Sequence, residues 1–193
     1  MKTVKSNSVN ELIIKNSRFI TLLFEIYDDT NIDEIFEAVK KEYPKATHYC
    51  YAYITKHLKK SSDDGEPGGT AGMPMLNVLE KESMINVLAI TVRYFGGIKL
   101  GAGGLVRAYS KSVREAILTA DVVYVEEGFL VEIDISYDEQ KKLDYILRDF
   151  EIINKQFLEG VKYVVLIPKN SIDILSTYSY QILGEEYIKK VLD

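Results

Sequence analysis

"RYFGGIKLGAGGLVRAYS", residues Arg93–Ser110, is the stretch on which the reading of this chain turns. An apolar, β-branched run, Ile85–Phe95, leads into it, and Leu105, Val106, Tyr109, Val113, Ala116, Ile117 and Ala120 recur at helical spacing after it. The pattern is buried strand, glycine loop, then a helix from about Ala102 to Ala120. Five glycines fall in the nine residues 96–104. Such a junction can be a tight turn that needs glycine at positive φ, or a cradle whose free N–H groups hold an anion at a helix start. Both readings stay open. The loop lacks the Gly-Lys-Ser/Thr ending of a P-loop, and "GIKLGAGGLV" does not match the dinucleotide fingerprint. From Ser83 to Arg114 there is no acid, only the cations Arg93, Lys99, Arg107, Lys111 and Arg114. The last three lie at i, i+4 and i+7, away from the apolar stripe. A local positive face is therefore predicted on a chain whose formal net charge is −5.

A second glycine cluster, "SSDDGEPGGTAGMPML" at residues 61–76, precedes it, and the two hold nine of the twelve glycines. Asp63, Asp64 and Glu66 could ligate a metal or act as an acid/base pair. Only His48 and His57 are available to complete such a site, and the alternative is a surface turn. Thr47–Thr55 alternates as a strand, with His48, Cys50, Ala52 and Ile54 on one face and Tyr49, Tyr51 and Tyr53 on the other. Cys50 beside His48 suggests either a thiol–imidazole pair or a small core residue. The tyrosines suit either base stacking or a half-buried sheet.

Hydrophobic residues make up 47% and charged residues 27% of the 193, ordinary values for a soluble globular protein. No run of eighteen apolar residues is present, so no membrane helix is expected, and the polar N-terminus argues against a secretory signal. A single cysteine excludes an internal disulfide, and a cytoplasmic location is expected. Leu12–Ile14 and Phe19–Ile26 flank Asn16-Ser17-Arg18 as a hairpin. Asn31 reads as the N-cap of a helix that ends at Tyr43-Pro44. Met73–Lys81 reads as a short helix and Val122–Val125 as a short strand. After Glu126-Glu127-Gly128 the pattern becomes strand Phe129–Ser136, helix Asp138–Phe150, strand Ile152–Leu158, strand Lys162–Ile167, a helix from about Ser171 to Leu183, and a last strand Glu186–Val191. That order is βαββαβ, the ferredoxin-like split unit. The predicted class is α+β, with domains 1–127 and 128–193.

"DDGEPGGTAGMPML" followed by "TVRYFGGIKLGAGGLVRAY" resembles the IMPACT (YigZ-like) family, and "NSRFI" at 16–20 and "HYCYAY" at 48–53 fit its upstream pattern. The motifs cover roughly residues 1–125; the remainder fits the bacterial C-terminal domain in pattern and length. The resemblance implies an N-terminal domain with the α+β fold shared by a ribosomal-protein domain and several translation factors, and a ferredoxin-like tail. It also implies translation regulators in eukaryotes, acting through protein contacts, and nucleic-acid or ribosome binding in bacteria. Its signature positions here are Asp64, Gly65, Glu66, Pro67, Gly69, Thr70, Ala71 and Gly72, then Arg93, Tyr94, Phe95, Gly96, Gly97, Lys99, Leu100, Gly101, Gly104, Leu105, Arg107 and Tyr109. Gly68, Ala102 and Tyr49 depart slightly from the pattern, and the extra N-terminal domain of eukaryotic members is not expected.

The expectation is a non-catalytic regulator of translation that binds RNA or the ribosome, with no metal, cofactor or catalytic residue. The two glycine loops form its anion site, Arg93, Lys99 and Arg107 neutralise phosphates, and Asp64 and Glu66 pair with those cations when the site is empty. Two alternatives use the same cleft: an enzyme acting on a small phosphorylated or peptidic substrate, and a protein-binding module.

Overall fold

The computed structural model describes residues 1–190 as a mixed α+β chain that divides into two compact units, Met1–Val123 and a second from Tyr124 onward. After a three-residue strand, β1 (Lys2–Val4), the first unit pairs β2 (Ser8–Ile14) with β3 (Ser17–Glu25) across a two-residue turn. Lys15 and Asn16 both have positive φ, the backbone of a type I′ hairpin, so the turn sits one residue earlier than the sequence indicated. With β4 (His48–Ile54), β5 (Lys59–Ser62) and β6 (Val87–Tyr94), these strands form an antiparallel sheet in the order β2–β3–β6–β4–β5. The central strand β6 is VLAITVRY, and its first seven residues are buried. The sequence reading missed β5, whose KKSS carries no apolar signal and which is held by pairing with β4.

Helices cover both faces of this sheet. On one, α1 (Ile32–Glu42) packs Val39 against Ile20, Leu22, Tyr53, Leu88, Ile90 and Val92. Asn31 does not cap α1 by its side chain; its amide bonds Glu34 instead. The tyrosine face of β4 is thus half covered: Phe36 meets Tyr51 edge-on at 4.9 Å, and Tyr49 donates to the carbonyl of Tyr43. The other face carries α2 (Gly72–Lys81) and α3 (Ala102–Thr119), with Met75, Leu79, Leu105, Tyr109 and Val113 buried.

The second unit is built on β7 (Val122–Ile135), one continuous strand where the sequence suggested two. A 3-10 turn at Tyr137–Glu139 and α4 (Gln140–Ile146) follow, shorter than the predicted helix. β8 (Glu151–Phe157) and β9 (Val161–Pro168) come next, then a 3-10 segment, Lys169–Leu175, and β10 (Tyr180–Lys189). Among the strands of this unit β7 pairs with β10 and β9, and β9 with β8, the connectivity of a split βαβ unit. The helix expected over Ser171–Leu183 is corrected. Its first part is the 3-10 segment, whose Leu175 is buried in the core, residues 176–179 form a turn, and its last four residues lie in β10, where Tyr180 faces Ile133 and Ile182 faces Val131. Ser176, Thr177 and Ser179 are weak helix formers and leave a turn, and from Tyr180 on ladder pairing with β7 prevails. Val191, the end predicted for the last strand, lies outside the described residues.

Candidate functional site

The first glycine loop is organised by Asp63, a residue the sequence signature left out. Its Oδ2 accepts the N–H of Gly69 at 2.7 Å, and its Oδ1 accepts those of Ala71 at 2.9 Å and Gly72 at 2.8 Å. Burial pushes this carboxyl up, but the three amides outweigh it and hold the acid below its ordinary value. Asp64 is also committed to backbone, its Oδ2 accepting the N–H of Tyr49 at 2.6 Å. Gly65 lies under the His48 ring, and Thr70 donates to the carbonyl of Pro67 at 2.6 Å. These contacts deliver Glu66 to the interior, where its carboxylate is 3% exposed.

There Glu66 meets Arg93, from the end of β6, with Nη1 at 2.5 Å from Oε1. Tyr109 of α3 donates to the same oxygen at 2.7 Å, and His48 Nε2 stands 3.8 Å from Oε2. Arg93 is sandwiched by rings, its guanidinium 5.4 Å from the centroid of Phe19 and 5.6 Å from that of Phe95. The network ties the first loop, β4, β6 and α3 together. Cys50 closes it, with Sγ 3.3 Å from the Tyr109 hydroxyl and 2.9 Å from the Asp63 carbonyl. Burial pushes the Cys50 thiol up to about 12 and also raises the Tyr109 hydroxyl. Cys50 stays protonated at neutral pH, which makes it a core residue and not an activated nucleophile. Among the described residues no cluster of three or more His, Cys, Asp or Glu side chains could hold a metal.

The second loop turns away from β6 at Gly96. A Cβ there would lie 2.1 Å from the carbonyl carbon of Asn16, so only glycine lets the loop rest on the β2–β3 turn. Its N–H bonds Ser17 Oγ at 3.1 Å, while Phe95 N–H bonds Thr47 Oγ1. Tyr94 is held outside this cluster by Pro44 and Arg18. Gly97 and Gly101 have positive φ, and Gly101 leads into α3, whose first turn carries neither an acid nor a side-chain cap. Gly104 is half-buried, and a Cβ there would lie 3.0 Å from that of Leu100.

A cleft of about 340 Å³ opens between the loops, lined by Glu66, Pro67, Arg93, Phe95, Lys99 and the start of α3 through Leu105. The structure thus brings Glu66, Pro67, Arg93, Phe95, Lys99 and Gly101 together. It separates Arg107, which is exposed on α3 and does not line the cleft. The expected pairing of Asp64 and Glu66 with three cations reduces to one bond, Glu66 with Arg93. Lys99 and Arg107 form no ion pair among the described residues. Arg93, at 5% exposure, holds the loops and is not a surface cation.

Comparison with known proteins agrees with the loops as a diagnostic unit. The Impact N-terminal domain model matches residues 15–117. The chain belongs to the IMPACT family. It is 36% identical to the IMPACT family member YvyE of Bacillus subtilis, over 97% of this chain and 89% of that protein. It is 44% identical to the family member YigZ of Escherichia coli over 109 residues, 54% of this chain and 53% of that protein. A crystal structure described as that of a hypothetical protein superposes with a TM-score of 0.65 at 29% identity, covering 95% of this chain and 97% of that one. Every IMPACT signature residue named above lies within the matched segment.

Proposed function

We propose that this chain is a non-catalytic regulator of translation that binds RNA, free or within the ribosome, through its first unit and works in the cytoplasm. One observation carries the reading. Lys99, Arg107, Lys111 and Arg114 are exposed along the second loop and α3 and pair with no acid among the described residues. Unpaired cations in a row lower the free energy of a polyanion nearby, whatever the sign of the net charge. The acids that looked catalytic support the same reading, since Asp63, Asp64 and Glu66 are all spent on holding the loops.

Salt-dependent titration of short RNAs by fluorescence anisotropy tests this. Four phosphate contacts give a log–log salt slope of about −3, a loss of about 50- to 150-fold between roughly 50 and 200 mM salt. Arg107→Glu combined with Arg114→Glu, both exposed positions, is expected to reduce the slope by about 2. Absence of saturable binding, or binding indifferent to salt and to the charge reversals, refutes the reading.

A further inference from the structure

The cleft between the glycine loops has features that the cationic row on α3 does not explain. Its walls are apolar, from Pro67, Phe95, Leu100 and Leu105, and Phe95 is 46% exposed although it flanks a buried ion pair. At its base the Arg93 guanidinium makes one hydrogen bond among the described residues, through Nη1 to Glu66, and its Nε is buried without an acceptor among them. A guanidinium carries five N–H donors, and a buried donor left unpaired is costly. Phe19 and Phe95 cover the guanidinium, so any further acceptor must approach in its plane. At the rim stand Lys99 and the uncapped first turn of α3, the place where a phosphate is favoured.

We infer that this cleft holds one unpaired nucleotide of a single strand, its base against Phe95 and Leu100 and its phosphate at Lys99 and the start of α3. The inference rests on the RNA reading above and narrows it to single-stranded RNA. An apolar slot does not suit a bare phosphate, whereas the π face of any base does suit an exposed aromatic ring. A volume of about 340 Å³ is at the small end of ligand sites, enough for one nucleotide and not for a duplex. Bases inside a duplex have their faces stacked, so only a splayed base reaches Phe95. The Nη donors of Arg93 that Glu66 does not use then meet acceptors on the base edge.

The test compares one single-stranded RNA with the blunt duplex of the same sequence, binding to the full chain and to Phe95→Ala and Lys99→Ala. Phe95→Ala, whose thermal unfolding serves as the folding control, is expected to weaken single-strand binding by about 5- to 150-fold, the range for one lost base stack. Duplex binding is expected to stay within about twofold, and Phe95→Tyr to restore the single-strand affinity. Lys99→Ala, also exposed, is expected to weaken single-strand binding and lower its salt slope by about 1. If charge reversal on α3 weakens both RNAs while Phe95→Ala changes neither, the nucleotide cleft is overturned and the RNA reading stands. If neither RNA binds the wild-type chain, the RNA reading itself fails and the cleft assignment with it.

Discussion

Replacing Glu66 by Gln keeps the size and shape of the side chain and removes only its charge. Arg93, with a side chain 6% exposed, then sits beside a neutral amide between two aromatic rings. Removing one partner of a buried ion pair costs about 3–5 kcal/mol, because the remaining charge is uncompensated where water cannot reach it. Tyr109 keeps an acceptor in the Gln carbonyl, so little is added from that side. For a cooperative unit the size of Met1–Val123, each kcal/mol corresponds to about 3–5 °C, which gives a fall in Tm of about 10–20 °C. Calorimetry is the suitable readout, since the chain has no tryptophan. Glu66→Leu combined with Arg93→Met is expected to recover part of the loss, leaving about 1–3 kcal/mol for the Tyr109 hydroxyl deprived of its acceptor. A Tm within about 3 °C of wild type for Glu66→Gln refutes the claim that this pair holds the loops. It would also revive an enzymatic role for the carboxylate, because a catalytic acid can be neutralised without loss of the fold.

Asp63→Asn is expected to cost on the order of 2 kcal/mol at neutral pH, since one of the two oxygens that accept three amides is lost. Because the folded carboxyl titrates below its unfolded value, its contribution is present above the unfolded pKa and disappears as pH falls through the folded one. The variant is therefore expected to show a flatter acid limb in stability against pH, and curves that run parallel below pH about 4 refute the assignment. Gly96→Ala is expected to destabilise the first unit by about 3 kcal/mol or more in urea unfolding, because the new methyl meets main chain at Asn16 and not a movable side chain. An unchanged midpoint would show that the turn yields.

Much of this protein is written in local pattern. The apolar run of β6, the helical stripe of α3, the alternation of β4 and the glycines that end β6 all register in a few neighbouring residues, because pleat and helix repeat over short distances. The paired motifs were enough to point to the family, and the acid-free stretch from Ser83 to Arg114 to a basic face. Where the signal was weak, pairing decided: KKSS is a strand because β4 holds it, and the segment at 180–189 is a strand because β7 does.

The candidate site was legible as a set of residues but not as a set of roles. Glu66 and Arg93 lie far apart in sequence, and nothing local shows that one is carried inside by Asp63 and the other buried at the end of β6. Spacing placed Arg93 with Lys99 and Arg107 as three equivalent cations. Tertiary packing buries the first, sets the second at the rim of a cleft and leaves the third outside it, since burial and partnership depend on which elements meet. What the sequence determined alone is the inventory, two glycine loops and a row of cations without acids. What only the fold decided is that the acids of "DDGEP" are bonded within the protein, Asp63 and Asp64 to main-chain amides and Glu66 to buried Arg93, leaving the cations outside free to meet a partner.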